Sequence, residues 1–243
     1  MNGEQMAATE NLGVLYGVGV GPGDPGLVTL RAVDVIRRST TVAYPVQREG
    51  AASRALETVR QHLDASSRLL PLVMPMTRDK ERLGAAHAAA VQALVEAASD
   101  GNDVACLALG DPLFYSTFGY LAERFPGRVE VVSGVSAMSA MAAAVGRPLA
   151  AGDMPTVVVT GFDHEALEAA LGMNASIVII KPRSLSAQSL DLMEKAGAWD
   201  RSRAALELGS PEERIIQRLD RRSIGDLPYF SVVWINPTRT GDI

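Results

Sequence analysis

The sequence is poor in the residues that most often build chemistry from side chains alone. It holds one cysteine and three histidines, and aromatics make up 5% of its 243 residues. A single cysteine excludes a disulfide within the chain. Cys106 lies in the apolar run Val104-Ala105-Cys106-Leu107-Ala108-Leu109, where it behaves as a small buried hydrophobe. The histidines, His62, His87 and His164, fall on helical segments or helix starts without ligand spacing, so no metal site is expected. Positive charge is not in excess either. The net charge of -5 argues against a general nucleic-acid binder, which carries a basic face. No uninterrupted apolar run approaches the roughly 20 residues that cross a bilayer, and residues 1–11 are polar and mixed, without signal-peptide character. A cytoplasmic protein with neither a membrane nor a nucleic acid as partner is expected.

What the chain does have is core material and glycine. Hydrophobic residues reach 47%, enough for a substantial core, and 243 residues lie between one large domain and two modest ones. Residues 13–20 form a short apolar run that meets glycines, as a buried strand feeding a tight turn does. Apolar residues at 27, 30, 33 and 36 then alternate with Arg31, Asp34, Arg37 and Arg38 in a helical stripe. A strand at 40–44 is expected to stop at Pro45. Helices near 54–63, 80–99, 117–125 and 136–145 alternate with strands near 68–74, 103–109 and 129–133. After the loop at 146–155, strands near 156–160, 176–181, 203–208 and 229–235 alternate with helices near 164–171 and 186–196. This is the pattern of α/β sheets with helices on their faces. A seam between 125 and 155 divides it, and the expected domains are 1–127 and 128–243.

Three strand ends carry candidate chemistry. Gly17-Val18-Gly19-Val20-Gly21-Pro22-Gly23-Asp24-Pro25 follows the first strand and precedes a helix, and glycine lets a backbone come close to a ligand or turn with positive φ. It is not a phosphate loop of the Gly-x-x-x-x-Gly-Lys-Ser/Thr type, because the lysine is missing. Gly21-x-Gly23-x-x-Gly26 meets the dinucleotide fingerprint formally, but Thr41-Val42-Ala43-Tyr44-Pro45 offers no carboxylate for a ribose. The second end, Leu109-Gly110-Asp111-Pro112-Leu113-Phe114-Tyr115-Ser116-Thr117, carries an acid, hydroxyls and aromatics. The third, Ser133-Gly134-Val135-Ser136-Ala137, again ends in small residues ahead of a helix. Ligands of open α/β sheets collect outside the carboxyl ends of strands, so the three ends point at one crevice.

In order, Gly19-x-Gly21-Pro22-Gly23-Asp24-Pro25-x-Leu27-x-Thr29-Leu30, Gly110-Asp111-Pro112-x-x-Tyr115-Ser116-Thr117 and Ser133-Gly134-Val135-Ser136-Ala137 resemble the signatures of the tetrapyrrole (corrin/porphyrin) methyltransferases. Val42-Ala43-Tyr44-Pro45, Pro75-Met76-Thr77 and Tyr115-Ser116-Thr117 are most similar to the branch that methylates carbon 20 of precorrin-2 in cobalamin biosynthesis. The resemblance implies two α/β domains with S-adenosylmethionine in the cleft between them, a fold unlike the Rossmann methyltransferases. It implies that Pro22 lines the cofactor site, that Gly110, Asp111 and Phe114 contact it, and that Ser136 and Ala137 hold it. Lys181 and Gly209 would close over it, with Tyr16, Ser116 and Thr117 as further candidates on the same edge. Two departures stand out: Ser133 takes the place of a usual proline, and Ser210 stands where the C-terminal loop Gly209-Ser210-Pro211-Glu212-Glu213 usually has threonine.

Methyl transfer from a sulfonium asks a protein for alignment and exclusion of water more than for a strong base. Asp111 is accordingly taken as a cofactor ligand, and no catalytic base is assigned. A tetrapyrrole substrate brings many carboxylates to a net acidic protein, so local cations must meet them. Arg48, Arg78 and Arg82 are the candidates, with Lys80 beside them. Many family members are homodimers, which makes a homodimer the expected assembly. The alternatives are a methylase of the same fold acting on a cobalt-containing substrate, another corrin carbon or a protein, and a non-catalytic S-adenosylmethionine-binding module.

Overall fold

The computed structural model describes residues 11–77 and 79–237. Its chain divides into two compact units, Met1–Ser136 and Ala137–Ile243, each built on its own five-stranded sheet.

In the N-terminal unit, β1 (Leu15–Gly19), β2 (Thr41–Val46), β3 (Arg68–Val73), β4 (Val104–Ala108) and β5 (Val129–Val132) form a wholly parallel sheet in the order β3-β2-β4-β1-β5. A parallel sheet is covered on both faces, so its central strands are apolar throughout, and β1 and β4 are buried at every position. Successive residues of β4 serve opposite faces: Ala105 and Leu107 pack with Val18 and Ile36, whereas Val104 and Cys106 pack with Leu94 and Phe118. On the first face lie α1 (Leu30–Arg38) and α2 (Arg54–Val59); on the second, α3 (Lys80–Ala98) and α4 (Phe118–Ala122). α1, α2 and α3 start on side-chain caps. The Thr29 hydroxyl accepts from Ala32 N at 3.2 Å, and the Asp79 carboxylate accepts from Glu81 N and Arg82 N at 3.0 and 3.1 Å.

Pro45 does not end its strand. β2 pairs with β4 only from Thr41 to Ala43, and beyond that it pairs on the β3 side alone. A residue without an N–H therefore fits where one side of the strand has no ladder to supply. The boundary expected at 127/128 also moves. β5 hydrogen-bonds to β1, so residues 128–136 belong to the N-terminal unit.

In the C-terminal unit, α5 (Ala137–Val145) leads to β6 (Thr156–Thr160), α6 (His164–Leu171), β7 (Ser176–Ile180), α7 (Ala187–Lys195), β8 (Ser202–Leu206), β9 (Arg214–Ile216) and β10 (Ser231–Ile235). Its sheet is mixed, in the order β6-β7-β10-β8-β9, with β10 antiparallel to both neighbours. Leu167, Ile177, Met193, Leu206 and Val233 form its core. The buried Trp234 indole donates to Ser176 Oγ at 2.8 Å, which removes the cost of an unpaired polar group there. No helix among the described residues is long and apolar enough to cross a membrane.

Candidate active site

Because the N-terminal sheet is parallel, the loops after all five strands emerge at one edge. Three of these loops, after β1, β4 and β5, are laced together through backbone. Gly110 N donates to Gly21 O at 2.7 Å and Gly21 N donates back to Gly110 O at 3.3 Å. A Cβ on Gly134 would stand 2.1 Å from Gly110 O, and one on Gly19 would stand 2.5 Å from Gly134 N. No side chain fits at either place. Gly17 has a different duty, since a Cβ there would meet the Phe118 ring at 2.3 Å. The alternating glycines of the first loop therefore bring strand ends together, and ligand contact is not what each of them is for.

Asp111 completes the lacing. Its Oδ1 accepts from Leu113 N at 2.9 Å and its Oδ2 from Gly134 N at 3.0 Å, so one carboxylate ties the loop after β4 to itself and to the loop after β5. The expected direct cofactor ligand is thus already engaged with backbone on both oxygens. Gly110 has φ +78°, a conformation that favours glycine, and no atom lies within 4 Å of the place a Cβ would take. Gly110 is nonetheless buried, so its backbone lies within the turn and not on its outer surface. Phe114, Ser116 and Thr117 follow on the same loop; Ser116 Oγ accepts from Phe118 N at 3.2 Å, and Thr117 makes no side-chain cap bond to α4. Ser136 ends the loop after β5.

Two expectations change. Tyr16 is 4% exposed inside the core, with the Arg38 guanidinium 4.6 Å from its ring centre, and it sits three residues before the carboxyl end of β1. At about 3.3 Å per residue that puts it roughly 10 Å upstream of the edge. Pro22 is buried within its turn, and Asp24, Pro25 and Gly26 form the turn's exposed part. Asp24 there accepts from Gly26 N at 2.7 Å and caps the short helical turn that follows.

The other end of the same edge is different. Between the ends of β2 and β3 and the first turns of α3 lies a groove of about 440 Å³, and it brings Arg48 and Arg82 together. Pro75, Ala86 and Ala89 give it an apolar floor, and Glu49 adds one opposing charge. Arg78 lies outside the described residues. Behind the groove His87 is buried and stacks on Tyr120, ring centres 5.4 Å apart; burial, with the nearby Arg124 charge, holds its imidazole below the usual histidine range.

In the C-terminal unit, Lys181 directly follows β7 and Gly209 follows β8 by three residues. Both strands run opposite to β10, so these two residues share one sheet edge. Lys181 has φ +53° and Glu207, next after β8, has φ +50°. Phe162, Tyr229 and Phe230, 52%, 42% and 37% exposed, stand at that edge as well, and sequence reasoning did not single them out. Ala137 opens α5.

An open parallel sheet whose strand ends are laced by glycine, with neither a phosphate-loop lysine nor a ribose carboxylate, defines an α/β protein with a small-molecule edge outside the common nucleotide-binding designs. The chain belongs to the tetrapyrrole (corrin/porphyrin) methylase family, whose sequence profile matches residues 14–221. It is 32% identical over 233 residues to the cobalt-precorrin-2 C(20)-methyltransferase of Salmonella typhimurium, covering 92% of this chain and 96% of that protein. It is 31% identical over 237 residues to the precorrin-2 C(20)-methyltransferase of a Sinorhizobium species, covering 92% and 95%. Among solved structures, the uroporphyrin-III C-methyltransferase of Thermus thermophilus complexed with S-adenosylhomocysteine shares the fold, with a TM-score of 0.65 at 19% identity over 92% of this chain and 97% of that one.

Proposed function

We propose that this chain methylates carbon 20 of precorrin-2 in cobalamin biosynthesis, with S-adenosylmethionine as the methyl donor. The observation that carries a two-ligand reaction is the division of one sheet edge into a glycine-laced half and an arginine-bearing groove. The choice of carbon follows the two C(20)-methyltransferases to which the chain is similar over nearly its whole length.

When bound, S-adenosylmethionine supplies an electrophilic methyl group on a sulfonium whose charge disperses on transfer, so that alignment and dryness govern the rate. Phe114 offers this cofactor an apolar wall, and Ser116, Thr117 and Ser136 their hydroxyls. Gly110 and Pro22 shape the turns beside them. Asp111 is a positioning residue that keeps the loops after β4 and β5 in register. Ala137, Lys181 and Gly209 carry the same cofactor assignment in the C-terminal unit. Arg48 and Arg82 meet substrate carboxylates through charge-assisted hydrogen bonds, and Arg78 is assigned with them. The same reading makes the protein a cytoplasmic homodimer, which light scattering after size exclusion checks.

Incubation with precorrin-2 and S-adenosylmethionine labelled with ¹³C in its methyl group tests the reaction, with cobalt-precorrin-2 in parallel. A single labelled methyl at carbon 20 is expected. Label at another carbon moves the protein to another branch of the family, and no labelled tetrapyrrole from either substrate contradicts the proposal.

A further inference from the structure

We infer that Tyr115 is the face on which the tetrapyrrole macrocycle stacks, a specificity-determining residue on the substrate side of the edge. The inference rests on the reading above that the substrate is a tetrapyrrole.

Tyr115 has φ +53°, in the left-handed region that a bulky side chain occupies only when its surroundings impose it. Here the surroundings do impose it. On one side of it Asp111 pins Leu113 N and Gly134 N; on the other, Ser116 Oγ accepts from Phe118 N, and Phe118 is anchored in the core at 2% exposure. The segment between these anchors is short, so the strain falls on residue 115.

Glycine would take this backbone conformation freely. The chain carries an aromatic there instead, and that aromatic does little for the core. The residue is 50% exposed and belongs to none of the hydrophobic clusters; its ring meets Phe114 edge-on, ring centres 5.0 Å apart. Leu113 and Phe114, 66% and 36% exposed, extend the apolar surface. A costly conformation that presents an apolar ring to solvent points to something outside the chain that the ring meets.

Strand order says what that is. β4 lies between β2 and β1, so its loop stands between the groove of Arg48 and Arg82 and the glycine turn. A broad unsaturated macrocycle rimmed by carboxylates matches this series: carboxylates on the arginines, ring face against the tyrosine, and reacting carbon toward the glycine half.

The test compares the unmutated protein, Tyr115→Gly and Tyr115→Phe in three measurements: fluorescence titration with uroporphyrin III, calorimetric titration with S-adenosylhomocysteine, and thermal melting. Tyr115→Gly is expected to weaken porphyrin binding about tenfold while S-adenosylhomocysteine binding stays within about twofold. Its Tm is expected to hold or rise, because the left-handed strain is relieved. Tyr115→Phe keeps the ring and is expected to bind porphyrin within about twofold of the unmutated protein. Equal porphyrin affinity in Tyr115→Gly overturns the inference. So does a matching loss of S-adenosylhomocysteine affinity, a large fall in Tm, or a Phe variant as impaired as the Gly variant. If the unmutated protein binds no porphyrin, the tetrapyrrole reading itself fails, a result distinct from binding that ignores residue 115.

Discussion

The two halves of the N-terminal sheet edge are built by different means. After β1, β4 and β5 the backbone itself is the structure: Gly19 and Gly134 lie too close to their neighbours for a Cβ on either, and the Asp111 side chain holds backbone N–H groups of two loops. After β2 and β3 the functional groups are long exposed side chains, Arg48 and Arg82, over a floor of alanine and proline. A site made of backbone fails abruptly when a side chain is added, because its neighbours cannot move aside. One made of exposed side chains loses affinity in steps, because each cation acts largely alone and in high dielectric. The halves should therefore separate under mutation.

The most damaging change lies in the glycine half. Gly134→Ala puts a methyl group 2.1 Å from Gly110 O, a clash with backbone that no rotamer relieves. We expect a loss of at least about 3 kcal/mol, seen as a Tm lower by roughly 6–12 °C, together with loss of S-adenosylhomocysteine binding. A folded variant with unchanged Tm and cofactor affinity would show that the close approach is not needed. Asp111→Ala should be milder, about 1–3 kcal/mol, since two backbone N–H groups lose their acceptor but are only partly shielded from water. Asp111→Asn keeps an acceptor and should recover part of that loss in urea titration; equal damage from both variants would place the effect in the charge.

On the arginine half, Arg48→Ala or Arg82→Ala should each weaken porphyrin binding about three- to tenfold and leave Tm and S-adenosylhomocysteine affinity alone. Unchanged porphyrin affinity in both would remove the groove from the substrate site. His87 links the two halves, since its stacking on Tyr120 joins α3, which carries Arg82, to α4, which follows the Gly110 loop. Its pKa in the fold is depressed, so the unfolded chain takes up the proton first. The stability it contributes is present above the unfolded value of about 6.5 and is lost as pH falls below it. His87→Gln should show a smaller fall in Tm between pH 7.5 and 5, by about 1–2 °C; parallel pH profiles would contradict this. Smallest of all, Cys106, buried and pushed up to about 12 by that burial, should react with no thiol reagent at pH 8 until the protein unfolds.

Much of this architecture is legible in the sequence because it is local. Strand and helix alternation follows from apolar period, and the strand 156–160 and helix 164–171 stand where the pattern puts them. The motifs at 19–30, 110–117 and 133–137 announce a shared edge because each follows a strand of an alternating α/β pattern, whose strands run parallel. What escaped is long-range. The pairing of β5 with β1, which moves the domain seam to 136, joins residues more than 100 positions apart. The inward placement of Tyr16 depends on which face of β1 carries α1. Pro45 continues a strand only because β4 ends its pairing at Ala43, and β9, three residues long, has too little pattern to declare itself. The tie from Asp111 to Gly134 exists only when the loop after β5 is folded beside it, and the strain at Tyr115 exists only once both flanks are anchored.

The division of the edge is tested most directly by one crossed titration: S-adenosylhomocysteine and uroporphyrin III, each against Asp111→Ala and against the Arg48→Ala/Arg82→Ala double variant. The account predicts that Asp111→Ala loses the nucleoside and, by releasing the anchor beside Tyr115, up to about tenfold of porphyrin affinity, while the double variant loses porphyrin by roughly ten- to a hundredfold and keeps the nucleoside. If both ligands weaken together in both variants, the two halves are not separate sites.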